Sequence, residues 1–502
     1  MMNLRIFALP SAWPLPLTAL GLVALLAGCA STPPAPDATT LMAQAEKALG
    51  SATLKTLVVS GRGNGSTFGQ AWQPGIAWPG LTYSTLTRSM NFDTGAYREE
   101  FARSRSEPNG GGATPLMGMG EARASGSVRD GFAWNTAGTT ATPAGVALQG
   151  RQHDLWTSTP QGALKAARRY NAVAGTRVQG GQTLHTLQYS APGQLAATLV
   201  LDAQHLVTRI ESTMPHPVLG DTPVITEFSD YQTAAGGEGL RFPMRVKQTT
   251  GGFPVLDWSI TEVKADTAVD IAVPDNVRAA RENATPEKVA EGVWFLAGGS
   301  HNSVAIELSN QIVLVESPLY DARSAAVFAT ANQLVPGKKV MTVINSHHHF
   351  DHAGGLRNAV AEGAQLITST IAKPYFERVF ANPNRIAPDR MALSGQSARI
   401  TAAGPKTVMQ DALRTIEILE MQGSVHSEGF LMVWLPKEKL LIQADAYTPG
   451  PPNSPPPPVP NANQVNLAQN IEQRGIQPER ILPLHGRVVP IAELYTQIGR
   501  KP

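Results

Sequence analysis

Asn345-Ser346-His347-His348-His349-Phe350-Asp351-His352-Ala353-Gly354-Gly355 follows directly on the apolar stretch Lys339 to Ile344. That stretch reads as an apolar strand. In extended backbone, side chains two residues apart face the same way, so His347 and His349 can converge on one ion. His348 lies between them, points the other way, and is expected to pack or orient rather than bind. Asp351 and His352, at the turn into the next helix, can then face a second ion. Imidazole nitrogen and carboxylate oxygen are suitable ligands for Zn²⁺, and two ions about 3.5 to 4 Å apart make a hydrolytic pair.

Around this segment the pattern alternates strand and helix. Gly292 to Leu296, Val304 to Leu308, Ile312 to Glu316 and Val340 to Ile344 read as strands, and Asp321 to Gln333 reads as a helix, which implies α/β layering. Upstream, Pro274 to Lys288 is polar with charges of both signs, and the domain boundary is placed there, giving 40–284 and 285–502. The first of these is Gly-rich, with short alternating segments such as Leu81 to Leu86, Thr198 to Leu201 and Met244 to Thr249, which predict an antiparallel β domain. Helices are expected at Thr40 to Leu49 and Gln161 to Tyr170. No internal repeat relates the two halves.

The composition narrows the chemistry. Across 502 residues, 41 basic side chains balance 39 acidic ones to a net charge of +2, so no nucleic-acid partner is expected. Cys29 is the single cysteine, which excludes intrachain disulfides, zinc ribbons and a thiolate nucleophile in the body of the protein. Any metal must be held by His and carboxylate. Leu17 to Gly28 is an apolar run of about twelve residues, a signal-peptide length too short to span a bilayer. It ends in Leu26-Ala27-Gly28-Cys29, which resembles the lipobox of bacterial lipoproteins. That resemblance implies a signal peptide over 1–29 and a lipid anchor through Cys29. The Pro-rich tether at 30–39 follows, and Ala30 after the cysteine favours the outer membrane, facing the periplasm, the periplasm itself being the alternative.

The His-x-His-x-Asp-His motif at 347–352 resembles that of the metallo-β-lactamase superfamily, and the likeness runs from about Val289 to the C-terminus. It implies a four-layer αββα sandwich, an α/β (α+β) class, with the metals at one edge of the sheets. It also implies a third His for the first metal in Gly423-Ser424-Val425-His426, a bridging acid in Leu441-Ile442-Gln443-Ala444-Asp445, and a last His in Leu482-Pro483-Leu484-His485. The implied first site is His347, His349 and His426. The second is Asp351, His352 and His485, with Asp445 shared. Two departures stand out: Ser424-Val425 replaces the family's common Pro-Gly, and Asp445 stands where drug-destroying branches carry Cys or no bridging carboxylate. The chain is therefore more similar to glyoxalase II-like, lactonase-like and phosphodiesterase-like members. The helix and meander of the first domain resemble the half-barrel of lipoprotein-carrier domains.

The resemblance implies a zinc-dependent hydrolase with two Zn²⁺ per chain, Fe or Mn being the other candidates. A metal-bound hydroxide would attack an ester, thioester, lactone or amide bond of a small-molecule substrate, and Asp351 would handle the proton. His301, on the loop between the first two strands, and Tyr447, two residues past Asp445, are expected substrate contacts. Glu316, at a strand end, is equally readable as a support for a ligand or a turn cap. The Pro run 455–458 suits a stiff lip beside the pocket. His153, His185, His205 and His216 have no partners at metal spacing and are read as structural. Two alternative functions remain: β-lactam hydrolysis, against which Asp445 weighs, and a lipid- or lipoprotein-binding module that uses the second domain as a scaffold. A flavodiiron-like redox role is disfavoured by His349, where those proteins have Glu. Every proposed ligand follows residue 285, so that part is expected to fold and bind metal alone.

Overall fold

The computed structural model describes residues 37–106, 120–234 and 239–501. The expected signal segment, Cys29 and most of the expected tether lie outside the described residues. No helix among the described residues is long and apolar enough to cross a membrane.

The N-terminal part opens on the helix Ala38–Leu49. Asp37 caps it by accepting the Thr40 N–H, and Gly50 ends it in the left-handed region at φ 63°. A 13-stranded, wholly antiparallel sheet follows. The chain meanders from the strand Thr56–Ser66 outward to one edge at Thr140–Pro143. It crosses through the helices Leu148–Thr157 and Pro160–Arg169, then returns from the other edge at Val173–Gln179. The last strand, Phe253–Ala265, pairs with Thr56–Ser66, so first and last strands close the middle of the sheet, with Leu57 opposite Ala265. Alternation along these strands turns Leu57, Val59, Leu86, Leu199, Ile210 and Trp258 to one face, where they pack with Leu41, Leu49, Trp156 and Leu164 of the helices. Each large apolar side chain buried this way contributes about 1.5–3 kcal/mol.

The C-terminal part starts with the strand Thr285–Ala290 and holds two sheets. The seven-stranded sheet runs as an antiparallel meander to Ile312–Val315, then continues in parallel through Val340–Ile344, Gln365–Ser369 and Arg399–Ala403. The six-stranded sheet spans Lys406–Gln410 to Val489–Pro490. Ile312–Val315 and Leu431–Leu435 are buried at every position because both faces of their sheets are covered, and they accordingly read as unbroken apolar runs. Phe295, Ile306, Val315 and Ile344 of one sheet meet Ile418, Val433, Leu441 and Leu482 of the other. The helices Asp321–Leu334, Leu356–Ala361 and Ala372–Phe380 cover the outer face of the first sheet, and Ala462–Gln473 with Ile491–Gln497 cover the second. The result is the αββα layering expected from the sequence.

From Asp37 onward the described residues form one compact unit. The seam between the two parts includes the loop that joins the strands Thr56–Ser66 and Gly80–Asn91. Gly69, at φ +85°, lies flat on the ring of Phe350, where a Cβ would come within 2.3 Å of ring carbon. Phe350 donates its N–H to the Gly69 carbonyl at 3.2 Å, and Glu428 donates to the Trp72 carbonyl at 2.9 Å.

Candidate metal centre

His347, His349, Asp351 and His352 come from the end of the strand Val340–Ile344 and the first turn of the short helix Phe350–Ala353. His426 lies on the loop before Leu431–Leu435, Asp445 just past Leu440–Gln443, and His485 just past Arg480–Pro483. All are loops at strand ends, where the sheets end and side chains from both can converge. The structure brings these side chains into two groups, each with ligand atoms within 4.8 Å of one another: His347, His349, His426 and Asp445, and His301, Asp351, His352 and His485. Asp445 touches both, with Oδ2 at 2.8 Å from His352 Nε2, 3.3 Å from His347 Nε2 and 3.2 Å from His426 Nε2, and Oδ1 at 3.1 Å from His485 Nε2.

The far nitrogen of each ring decides what the near one can offer. His349 Nε2 faces the Ala71 carbonyl at 2.9 Å, His485 Nδ1 faces the Ser300 carbonyl at 2.8 Å, and His352 Nδ1 faces Glu316 Oε2 at 2.5 Å. A carbonyl or carboxylate oxygen only accepts, so each of these nitrogens carries the hydrogen. In the neutral ring the opposite nitrogen is then a lone pair pointing inward. His485 Nε2 stands 3.1 Å from His352 Nε2, and His349 Nδ1 stands 2.7 Å from His347 Nε2 and 3.1 Å from His426 Nε2. Lone pairs facing each other at this range repel unless a proton or a cation lies between them. Fixing the outer nitrogen to present the inner one is how metal-ligating histidines are held. The donor set therefore fits two divalent cations, with Asp445 between them.

The electrostatics of the first group agree with that fit, and those of the second show a proton competing with the cation. Burial pushes the imidazoles of His347 and His349 well below the usual histidine range, leaving both neutral, the form that ligates. Burial would lower His352 too, but Asp445, Asp351 and Glu316 around it raise it well above that range, so without a cation His352 holds a second proton that a bound metal would displace. Desolvation pushes the Asp351 carboxyl up, yet the charge of His352 and a hydrogen bond from His301 outweigh it and hold the carboxyl well below the usual carboxylate range. Asp445 is held down against burial in the same way by His352, His426 and His485.

Glu316 is fully buried at φ 70°, a strained conformation for a residue with a side chain. Its Oε1 accepts the Ser346 N–H at 2.7 Å while Oε2 holds His352, so it fixes the backbone entering the motif and one of the motif's rings together. His348 turns away from the inner atoms and reaches the Ala71 carbonyl at 2.9 Å.

Two residues expected to contact substrate are placed by the structure as follows. His301 does not face open space: its Nε2 sits 3.1 Å from Asp351 Oδ2, among the ligand atoms of the second group. Tyr447 is buried in the core, with its hydroxyl 3.1 Å from Glu493 Oε1. The Gln443 side chain bonds both the N–H and the carbonyl of Tyr447, which curls the segment after Asp445 and takes the ring away from the centre. Sequence reasoning also missed Gln70, whose Nε2 donates to Asp351 Oδ1 at 2.8 Å, and the Ala71 carbonyl on His349. Both come from the N-terminal part, and neither residue type carries a signal.

Residues 296–485 match the family model described as Metallo-beta-lactamase superfamily, a span that ends on His485 and holds all seven expected ligands. The C-terminal part is a metallo-β-lactamase superfamily domain. Solved metallo-β-lactamases overlay it at low identity. The DIM-1 enzyme is 20% identical, covering 43% of this chain and 95% of its own, with a TM-score of 0.34. The enzyme from Hirschia baltica is 19% identical over 44% and 99%, with a TM-score of 0.33. A curated relative, the 2,4-dinitroanisole O-demethylase subunit alpha of Nocardioides sp. (strain JS1661), is 24% identical over 168 residues, 33% of this chain. The chain spans 47% of that relative's length.

Proposed function

We propose that the chain is a dinuclear zinc hydrolase that cleaves an ester, thioester, lactone or amide bond of a small molecule. The observation that carries the reading is Asp445, whose two oxygens reach His352 on one side and His485 on the other while also meeting His347 and His426. A bridging carboxylate between two histidine groups is the arrangement expected to hold two cations at close range. Such cations, when bound, supply Lewis acidity toward a carbonyl oxygen and acidify a water. The chain's own residues do the rest. Asp351 keeps one edge toward the cavity, with its side chain 29% exposed, and is oriented by Gln70 on Oδ1 and His301 on Oδ2. It is placed to accept a proton from an attacking water and pass it to the leaving group. His301 is the donor best placed to steady that carboxylate while it does so.

By the same reading the mature protein is a lipoprotein anchored through Cys29 and facing the periplasm. The test is metal analysis of purified protein, then turnover against chromogenic esters, thioesters, lactones, phosphodiesters and a cephalosporin. 2,4-Dinitroanisole joins the panel because of the O-demethylase relative. About two zinc ions per chain and turnover of an acyl substrate support the reading. Turnover of the cephalosporin alone would favour the β-lactam alternative, and a metal-free protein inert to the panel would refute both.

A further inference from the structure

The metal centre opens into a single cavity of about 1050 Å³ whose walls come from both parts of the chain. Asp351, Asp445 and His485 form its metal end. Beside them stands an aromatic wall: Phe68 and Phe350 with ring centroids 5.3 Å apart, and His216 4.8 Å from Phe350. Farther along, the strand Gly80–Asn91 presents Tyr83, Leu86 and Arg88 in turn, so the lining passes from apolar to charged along one strand. Five residues of strand from Tyr83 to Arg88 amount to about 16 Å.

The charged end is incompletely satisfied. Arg88 and Arg151 line it with Glu99 and Asp154, while Arg103, paired in register with Tyr83, stands at the other end of that strand. Arg88 is 5% exposed; its Nε donates to Glu99 at 2.8 Å and its Nη2 lies 4.0 Å from Asp154, which leaves Nη1 buried without a hydrogen-bond partner. Arg151 donates to the carbonyls of Ser127 and Trp134 and to the amide oxygen of Asn135, all neutral acceptors. Arg103 lies over the ring of Phe101, with its Nε buried and unpaired. A buried cation lacking a full set of acceptors is costly, and an incoming anion would complete it.

We propose that this cavity is the substrate chamber and that it selects amphipathic anions: molecules with an acyl bond to present at the metal centre, an aliphatic body for the aromatic and aliphatic wall, and a carboxylate or similar anionic group for the Arg88 end. The inference rests on the hydrolase reading for the bond broken and on the cavity for the molecule chosen. In the reaction, water adds to the acyl carbon, the bond from that carbon to the leaving oxygen breaks, and the two water hydrogens end on the alcohol and the new acid. No electron donor or acceptor is required.

Zinc-loaded full-length protein is assayed with p-nitrophenyl esters of acyl chains from two to twelve carbons, and with the twelve-carbon ester bearing a terminal carboxylate. In parallel, dodecanoate is titrated against a bound fluorescent undecanoate probe. kcat/KM should rise at least tenfold from the two-carbon to the ten-carbon ester and a further several-fold with the terminal carboxylate, the gain falling on KM. Arg88→Met should abolish the carboxylate gain and weaken dodecanoate binding. Should Arg88→Met fold poorly, Val255→Trp, at a half-buried lining position, serves instead: it should move the optimum to shorter chains. Dodecanoate binding that both variants weaken, with no ester cleaved, would support the chamber and overturn the hydrolase reading. Ester cleavage that ignores chain length and charge, with no dodecanoate binding, would overturn the chamber and leave the hydrolase reading standing.

Discussion

Replacing Glu316 by Gln changes one atom of a fully buried side chain and tests how the centre is held. Two donors demand acceptance from its oxygens at once: Ser346 N–H on Oε1 at 2.7 Å and His352 Nδ1–H on Oε2 at 2.5 Å. The Asn345 amide adds a third at 3.4 Å. A Gln has one accepting oxygen and one donating NH₂. If the NH₂ faces His352, the ring must accept at Nδ1 and carry its hydrogen on Nε2, the atom that stands 2.8 Å from Asp445 and 3.1 Å from His485. That nitrogen can then no longer ligate. If the NH₂ faces Ser346 instead, a buried backbone donor is stranded beside the motif, at about 1–3 kcal/mol. Loss of such an outer partner typically costs about 10- to 100-fold in metal affinity, which is about 1.4–2.8 kcal/mol. Competition titration with a chromogenic chelator should therefore show the weaker of two zinc ions released 10- to 100-fold more easily, with thermal unfolding recorded on the same samples. Wild-type affinity for both ions in a folded Glu316→Gln protein would refute this account of how His352 is held.

Gln70→Leu removes the hydrogen bond to Asp351 Oδ1 without adding charge; a charge-assisted bond of this kind is worth about 1.5–3 kcal/mol, so kcat should fall about 10- to 100-fold at near-full zinc content, checked by turnover and metal analysis on one preparation. Asp445→Ala should lower zinc toward one ion per chain. Asp351→Asn should keep more metal than Asp445→Ala yet lose about 10²- to 10⁴-fold in kcat, so full zinc with near wild-type turnover in Asp351→Asn would end its proton role. A fragment starting at residue 285 lacks the Ala71 carbonyl on His349 and the Gly69 seat of Phe350, and it should bind zinc more weakly than the full chain in side-by-side titrations. Cys29→Ser should move the protein from the membrane to the soluble fraction of cells, and a wild-type protein already soluble would remove the lipid anchor.

Most of the centre was legible because its spacing is local. His347, His349, Asp351 and His352 share one strand end and one helical turn, so periodicity alone aims them. His426, Asp445 and His485 came only through the family likeness, since each lies at the end of a different strand and nothing within its own segment points at the others. Tyr447 failed for a local reason: a spacing of two implies a shared face only in extended backbone, and the Gln443 side chain curls that segment. In the N-terminal part, alternation with Gly and Pro punctuation exposed the antiparallel sheet. The helix Leu148–Thr157 was missed. Gly150 sits inside it, its start at Ala147 has no side-chain cap, and its polar first turns carry no apolar period. Packing of Leu155 and Trp156 into the core holds it.

Gln70 and Ala71 mark what no reading of single segments could reach. A glutamine and a carbonyl are generic, and their meaning depends on a loop crossing from one part of the chain to the other. Yet the sequence does carry the condition for that crossing. Gly69 alone allows the loop to lie flat on Phe350, because a side chain at that position would strike the ring and the positive φ would be strained. Phe350 in turn sits between His349 and Asp351, so the residue that receives the loop is inside the motif itself. One contact therefore sets three things together: the loop's height over the motif, the carbonyl that fixes the His349 tautomer, and the amide that orients Asp351. An N-terminal part that served only as a tether or a separate binding module would have no reason to place its groups within hydrogen-bonding distance of two candidate ligands, His349 and Asp351. The aromatic wall of the cavity is built from the same loop, through Phe68. Access to the centre and the orientation of Asp351 thus depend on one seam, and Gly69→Ala should lower both zinc affinity and dodecanoate binding when the two are titrated on one preparation.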